Sequence, residues 1–275
     1  LSIEQRIERI TQIFSTFRNP DKETVLTPWR VVNMHISDTL GGYGFFDTDF
    51  DEKKTLPDPR FVDRGKVTAS VFNPDTRILE INSKTGLYPL YMAYSTYRAR
   101  LASLITSPES IDDEWAVWSE VIRENIFVIC KTPMAKNITK RTLVGFRDIK
   151  VNPRYFEDLI NQIKNKPSNF IQKVEQSKSF WKAINNDKMK FNAVVGNPPY
   201  QEMDGGGTGS SAIPVYNLFV DLATRLSPNY ITMIMPAKWY TGGKGLDSFR
   251  EFMLNDTRIF KLVDFEDSRL VFPTV

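Results

Sequence analysis

The chain has 275 residues, 41% hydrophobic and 12% aromatic, enough to bury a sizeable core as one large α/β domain or one domain with an N-terminal addition. Its net charge of +3 permits contact with nucleic acid without arguing for it. One cysteine (Cys130) and one histidine (His35) exclude a disulfide framework and a Cys/His zinc site, so no metal is expected. No apolar run reaches the roughly 20 residues a membrane span needs, and a cytoplasmic location is the default expectation.

Ile3, Ile7, Ile10, Ile13 and Phe14 recur at helical spacing and predict an amphipathic helix over residues 2–18. After a polar link, Thr27-Pro28 predicts a second helix, with the threonine hydroxyl as N-cap and proline in the first turn. It runs to about Leu40 and stops at Gly41-Gly42; His35 falls inside it at a core or surface position. Residues 43–74, rich in Asp, Pro, Gly and Phe, read as an excursion with a short hairpin around Phe61 to Phe72. Residues 1–74 are thus expected to form an N-terminal helical segment and 75–275 the main domain.

That domain is predicted to open with a strand at Arg77–Ile81, a turn Asn82-Ser83-Lys84-Thr85-Gly86 and a helix from Tyr88 to about Leu104. A helix over Ile111–Glu124, a strand over Asn125–Cys130, and helices over Met134–Leu143 and Tyr155–Ile163 follow, then a polar stretch to Lys190. Phe191–Val195 predicts a buried strand, Gly205–Ser211 a mobile loop and Pro214–Leu226 a helix. A strand at Tyr230–Met235, a helix at Leu246–Leu254 and a strand at Ile259–Phe265 close the pattern. Such alternation predicts an α/β fold with a doubly wound, mostly parallel sheet.

The stretch that points to chemistry is Phe191-Asn192-Ala193-Val194-Val195-Gly196-Asn197-Pro198-Pro199-Tyr200. Its apolar strand stops at Gly196, because Pro198 and Pro199 lack an N–H and fix φ near −65°. A stiff corner at the C-terminal end of a parallel strand lies where open α/β sheets bind ligands. Asn197 offers an amide oxygen, Pro198 a carbonyl with no competing neighbouring amide, and Tyr200 an aromatic face. Two such acceptors take both hydrogens of a planar amine while a ring stacks on the system that carries it, which suits a base drawn out of its helix.

This stretch resembles the catalytic motif of the S-adenosylmethionine-dependent amino-methyltransferases, in the adenine-specific DNA form found in restriction–modification polypeptides. The resemblance implies that Asn197 and the Pro198 carbonyl hold the adenine N6 amine, that Pro199 completes the corner, and that Tyr200 stacks on the flipped base. It implies a Rossmann-like methyltransferase fold with an N-terminal helical extension, S-adenosyl-L-methionine as cofactor and double-stranded DNA as partner. It also implies covalent linkage to further restriction–modification domains, in keeping with ends at Leu1 and Val275 that read as those of a piece of a longer protein.

On the cofactor side, Glu80, Asn82, Ser83, Thr85 and Gly86 form the first strand-to-helix turn, where Rossmann-like folds bind a nucleotide cofactor and a helix N-terminus favours an anion. The family's usual Asp/Glu-Pro-x-x-Gly-x-Gly is altered here: Ile81 replaces the proline and only Gly86 of the two glycines remains. Thr27-Pro28 resembles the element that precedes this turn in the gamma order and closes over the cofactor. The acid expected after the second strand is replaced by Cys130-Lys131-Thr132, so either Glu124 or Asp148 substitutes for it or the ribose is held otherwise. Met233 to Trp239 resembles the later strand at the rim of the target pocket, which makes Lys238, Trp239 and Tyr216 candidate substrate contacts. Lys131, Lys136, Lys140, Arg141 and Arg147 form the densest basic run, either a phosphate track or a solvated helix face. Two other readings stay open: a degenerate, non-catalytic methylase fold that binds DNA, favoured by the altered turn, and a protein glutamine-amide methyltransferase, which shares the tetrapeptide but not the Thr27-Pro28 order.

Overall fold

A computed structural model of the chain describes residues 1–19, 25–104, 113–176, 180–181, 188–203 and 212–272. The N-terminal part holds α1 (Ile3–Ser15), α2 (Trp29–Thr39), the short antiparallel strands β1 (Gly42–Gly44) and β2 (Arg60–Val62), and α3 (Lys66–Val71). Then come β3 (Ile78–Ser83), α4 (Leu87–Leu104), α5 (Glu114–Glu124), β4 (Ile126–Cys130), α6 (Pro133–Val144), β5 (Pro153–Tyr155), α7 (Leu159–Asn165) and α8 (Pro167–Glu175). The last part carries β6 (Ala193–Gly196), the antiparallel pair β7 (Gln201–Met203) and β8 (Ala212–Pro214), α9 (Tyr216–Arg225), β9 (Tyr230–Met233) and α10 (Asp247–Asn255).

The central sheet runs β5-β4-β3-β6-β9, and every neighbouring pair is parallel. Chain order reverses between β3 and β6, so the ends of these two strands flank the topological switch point. Both faces are covered. Ile78, Ile126, Val128, Ala193 and Val195 point to a core shared with α1, α2, α4, α5 and α6. Leu79, Ile81, Phe127, Ile129 and Val194 point the other way, to α7, α8 and α9. The period of two along each strand sends alternate residues to opposite faces, so Glu80 follows Ile78 toward α2 and α4.

The helices begin where local chemistry satisfies their first amides. Ser2 and Gln5 make a reciprocal capping box on α1, Asp113 accepts from Trp115 N on α5, and Thr132 accepts from Ala135 N ahead of Pro133 on α6. The N-terminal helix is tied into the domain: Arg6 donates to the α6 carbonyls of Arg141 and Thr142 at 2.8 and 2.6 Å. Trp118 donates to the next one, Leu143, at 2.9 Å.

Three predicted elements are corrected. The stretch Phe61 to Phe72 is not a hairpin: β2 pairs back to β1, which the glycine-rich run after α2 supplies, and the rest is α3. The helix expected from Tyr155 begins only at Leu159, because Pro153 to Tyr155 join β4 as the edge strand, where a proline costs no ladder bond on its outer side. Ile259 to Phe265 is not a strand. Its composition suits one, but no described segment pairs with it, and Phe260 and Leu262 stand 63% and 60% exposed. The loop expected at Gly205–Ser211 lies outside the described residues, as do residues 273–275.

Candidate active site

β3 and β6 bring their C-terminal ends side by side, with Glu80 opposite Val195 in the register. Gly196 makes this approach possible, since a Cβ there would stand 2.9 Å from the Ile81 carbonyl oxygen. One residue later Asn82 takes φ 74°, a left-handed conformation that asparagine tolerates better than most residues. Its Nδ2 donates to the Asn197 carbonyl at 3.2 Å, which ties the predicted cofactor turn directly to the Asn-Pro-Pro-Tyr corner.

Asn197 is 3% exposed. Its Nδ2 donates to Thr27 Oγ1 at 3.0 Å, while its Oδ1 is buried and has no hydrogen-bond donor among the described residues. The Thr27 hydroxyl is therefore not the N-cap of α2, as its sequence suggested. Pro28 occupies that position in an extended conformation (φ −62°, ψ 152°), which sets Thr27 one residue outside the helix and across from Asn197. Pro198 and Pro199 are buried, and Tyr200 is partly exposed, its carbonyl accepting from Val215 N at 3.2 Å. Burial pushes the Tyr200 phenol well above its ordinary range, with the Asn197 side chain pulling slightly back.

Five predicted residues, Thr27, Glu80, Asn82, Thr85 and Asn197, line one narrow recess with a cavity volume of about 10 Å³. Lys84, Leu87 and Tyr88 complete its wall, and sequence reasoning did not single these out. Their positions in the turn and the first turn of α4 were the available signal, because that turn must face the strand ends. Burial raises the Glu80 carboxyl to about 8, against the opposing pulls of the Ser83 hydroxyl and the Lys84 ammonium. Glu80 Oε2 also lacks a hydrogen-bond donor among the described residues. A buried acid with an unmatched oxygen is complemented by a cationic ligand group. Ser83 lies behind the turn, 3.2 Å from Thr139 Oγ1, and Lys84 Nζ donates to the Val25 carbonyl at 2.9 Å. Gly86 has φ +80°, and a Cβ on it would meet Thr139 Cα at 3.0 Å, so the turn needs glycine where it packs on α6. The first amides of α4 have no intrahelical acceptor, which leaves Leu87 and Tyr88 N–H available to an anion, while Pro89 has none to give.

The other candidates lie apart. Tyr216 and Trp239 pack with Phe249 in a separate apolar cluster beyond β9, at ring distances of 6.0 and 6.1 Å, and Lys238 is exposed beside them. None of the three lines the recess, although Met233, on the edge of that cluster, pairs with Gly196 in the sheet. Neither substitute for the ribose-holding acid is placed for it. Glu124 immediately precedes β4, at the opposite end of the sheet, and is held by Arg100 and Arg123 at 2.8 and 2.9 Å. Asp148 lies exposed between α6 and β5, also at that opposite end. Cys130 itself is fully buried, its thiol pushed up to about 12 mainly by burial, so it is neither an acid nor a nucleophile. In the basic run, Arg141 stacks on Phe146 and Arg147 on Trp115, at 4.1 and 3.4 Å, so part of it is engaged locally. Among the described residues no group of three His, Cys, Asp or Glu side chains is placed to hold a metal ion.

The sheet order, the paired strand ends and the asparagine corner together define a doubly wound, Rossmann-like methyltransferase fold. The family model of the Eco57I restriction-modification methylases matches residues 124–272, more than half of the chain, and the protein belongs to that family. An uncharacterized adenine-specific methylase of Mycoplasma pneumoniae is 25% identical over 252 residues, covering 73% of this chain and 58% of the relative. The chain thus spans somewhat over half the length of that curated relative. Among solved structures, a modification subunit ascribed to a type I restriction enzyme of Vibrio vulnificus YJ016 matches 91% of this chain and 43% of its own, at 12% identity and TM-score 0.47. The M protein of the type I restriction enzyme EcoKI matches 90% and 54%, at 11% identity and TM-score 0.37.

Proposed function

We propose that this chain is the catalytic part of a site-specific DNA methyltransferase that transfers a methyl group to the N6 amine of an adenine flipped out of double-stranded DNA, within a restriction–modification system. The observation that carries the reading is the Asn197 side chain, pinned through Nδ2 by Thr27 and left with a buried, unmatched Oδ1 at the switch point. That oxygen and the Pro198 carbonyl accept the two amine hydrogens, and Tyr200 stacks on the base. Held this way, the nitrogen is drawn toward tetrahedral geometry and its lone pair is free for in-line attack.

S-adenosyl-L-methionine supplies an electrophilic methyl group on a sulfonium. The recess suits its amino-acid end: Glu80 Oε2 for the ammonium, and the Leu87 and Tyr88 amides at the start of α4 for the carboxylate. Asn82, Ser83, Thr85 and Gly86 shape the turn around it, and Thr27 and Pro28 hold its outer wall. With the cofactor bound, the amine nitrogen would form its bond to that methyl, the S–C electron pair would stay behind on the leaving sulfur, and one amine proton would pass to solvent. No side chain of shifted pKa is required as a base, in keeping with an amide and a carbonyl as the groups nearest the amine. Tyr216, Lys238 and Trp239 are assigned to the outer rim, where the base and its neighbours enter. DNA is the macromolecular partner, further restriction–modification domains or subunits are the others, and the cytoplasm is the place of action.

Replacing Asn197 with alanine tests this directly. Transfer of labelled methyl to adenine in duplex DNA should fall by at least roughly 100-fold, while calorimetric affinity for the cofactor stays within about threefold. Undiminished transfer by that variant sinks the mechanism. A second reading, a methylase fold that no longer binds cofactor, is favoured by Ile81 in place of the family proline and by a recess of about 10 Å³, room for a single water at most and far below a ligand pocket. Absence of cofactor binding by the folded wild-type chain would establish it.

A further inference from the structure

One buried titratable group has no part in the mechanism above. His35 sits inside α2 with its Nδ1 2.7 Å from the Tyr88 hydroxyl and its Nε2 2.7 Å from Thr232 Oγ1. Burial lowers its imidazole to about 4, against a smaller opposite pull from Asp38, so the ring is neutral and carries one proton. The far end of the chain of hydrogen bonds decides which nitrogen has it. Thr39 Oγ1 donates to the His35 carbonyl at 2.7 Å, and a carbonyl can only accept. With that proton spent, the 3.2 Å contact between Thr39 and Thr232 needs the Thr232 hydroxyl as donor. Thr232 then has no proton for the imidazole and must accept from Nε2–H. Nδ1 is bare, and the Tyr88 hydroxyl donates to it.

Tyr88 is 3% exposed and lines the recess with Glu80 and Asn197. Its one hydroxyl proton is committed to His35, so its oxygen has only a lone pair to offer a ligand. Burial, with Tyr200 and Glu80 adding to it, holds the phenol well above its ordinary range, which keeps it neutral. A free hydroxyl can rotate to present either a proton or a lone pair. This one cannot.

We propose that Tyr88 is a further ligand-contacting residue of this site, an oriented acceptor whose phenol oxygen stabilises the positive charge that develops on the target amine, and that His35 is the positioning residue that keeps its proton turned away. The inference rests on the methyl-transfer reading above. It adds a preorganised dipole at the place where charge appears, the kind of contribution that costs no reorganisation during the reaction.

The test uses the full chain and the variants Tyr88→Phe, His35→Gln and His35→Leu. Three quantities are measured: the nitrogen chemical shifts of His35 without ligand, calorimetric affinity for S-adenosylmethionine, and single-turnover methyl transfer to adenine in duplex DNA. The chain has one histidine, so its signals need no assignment. The expected tautomer is Nε2–H, with an Nδ1 shift that moves in Tyr88→Phe as the accepted hydrogen bond is lost. Tyr88→Phe should slow transfer roughly 10- to 100-fold with cofactor affinity within about threefold. In His35→Leu the tyrosine proton is released into the recess, and transfer should fall by a similar factor. In His35→Gln the amide oxygen accepts from Tyr88 and the amide N–H donates to Thr232, so transfer should return to within about threefold of wild type. An Nδ1–H tautomer, wild-type transfer by Tyr88→Phe, or equal loss in the Gln and Leu variants at unchanged melting temperature would each overturn the proposal. A wild-type chain that binds cofactor but methylates no adenine removes the functional reading and the charge-stabilising role with it, whereas the His35 tautomer separately decides the orientation of Tyr88.

Discussion

The strands β6 and β9 lie next to each other, point the same way and run out into proline, yet their ends differ in kind. After β6 the chain enters Asn197-Pro198-Pro199, buried throughout and bonded to Thr27 on one side and Asn82 on the other. After β9 it enters Ile234-Met235-Pro236 and the short 3-10 turn Ala237–Tyr240, half exposed, and then reaches the exposed stretch Ile259 to Phe265. Proline stops a strand in either place. What distinguishes the first end is β3, which arrives from the other half of the fold and sets Glu80 and Asn82 beside it. A strand end becomes a site when a second strand end faces it across the switch point.

If that contrast is right, the largest effect should come from forcing the two strand ends apart. Gly196→Val places a Cβ where the Ile81 carbonyl oxygen already stands at 2.9 Å, and neither backbone can yield without breaking the β3–β6 ladder. A loss of about 3 kcal/mol or more is expected, read as a lower urea midpoint at unchanged slope. A variant as stable as wild type would show that the approach of the strands is not what holds the corner.

Next in size is the Glu80 carboxyl, which ties stability to function with opposite signs. Its folded value of about 8 lies above the ordinary 4.5, so between those pH values the folded state binds more protons than the unfolded one. Its contribution is therefore fully present below about pH 4.5 and is lost as pH rises through about 8. Glu80→Gln removes that dependence, and the ligand-free variant at pH 8 should be more stable than wild type by on the order of a few kcal/mol. The same change should weaken S-adenosylmethionine binding by at least roughly 10-fold, since the unmatched oxygen that destabilises the free protein is the one assigned to the ligand ammonium. His35 acts in the other direction: its value of about 4 lies below the ordinary 6.5, so its contribution is present above pH 6.5 and fades toward pH 4. A urea midpoint followed from pH 4 to 9 in wild type and Glu80→Gln separates the two. A flat wild-type profile above pH 6.5 would contradict the burial of Glu80.

The contrast also explains what was legible in the sequence. The strands β3, β4 and β6 announce themselves because burial on both faces demands continuous apolar runs, and the corner because two prolines after such a run have few other uses. Thr27, Glu80, Asn82, Thr85 and Asn197 could be gathered into one recess because a Rossmann-like order brings them there. The partner of Thr27 was not legible: an N-cap is a local pattern, whereas the Asn197–Thr27 bond spans 170 residues and depends on an extended Pro28. Tyr88 and His35 carry no motif, and what joins them is the crossing of α2 over the start of α4. At the other end, the expected strand Ile259–Phe265 failed because residue preference describes a side chain's fit to a sheet, while a strand also needs a backbone to pair with.

The smallest effect belongs to that exposed stretch. Phe260 meets Tyr230 edge-on at a ring distance of 6.4 Å, and Leu262 stands 60% exposed. The segment is fastened more by charge than by packing, through Lys261 Nζ to Asp38 Oδ1 at 2.7 Å and to the Asp38 carbonyl at 3.0 Å. An exposed ion pair of this kind is worth little, and a leucine already in water loses little burial when it is replaced. Leu262→Ser should therefore change the urea midpoint by no more than about 0.5 kcal/mol equivalent and leave cofactor affinity untouched. The sign of any change in solubility is the sharper readout, because removing an apolar side chain from a row that includes Ile259, Phe260 and Phe265 should lower self-association. A loss of more than about 1 kcal/mol would mean that Leu262 is covered in solution, and that the end of β9 is a second packed junction.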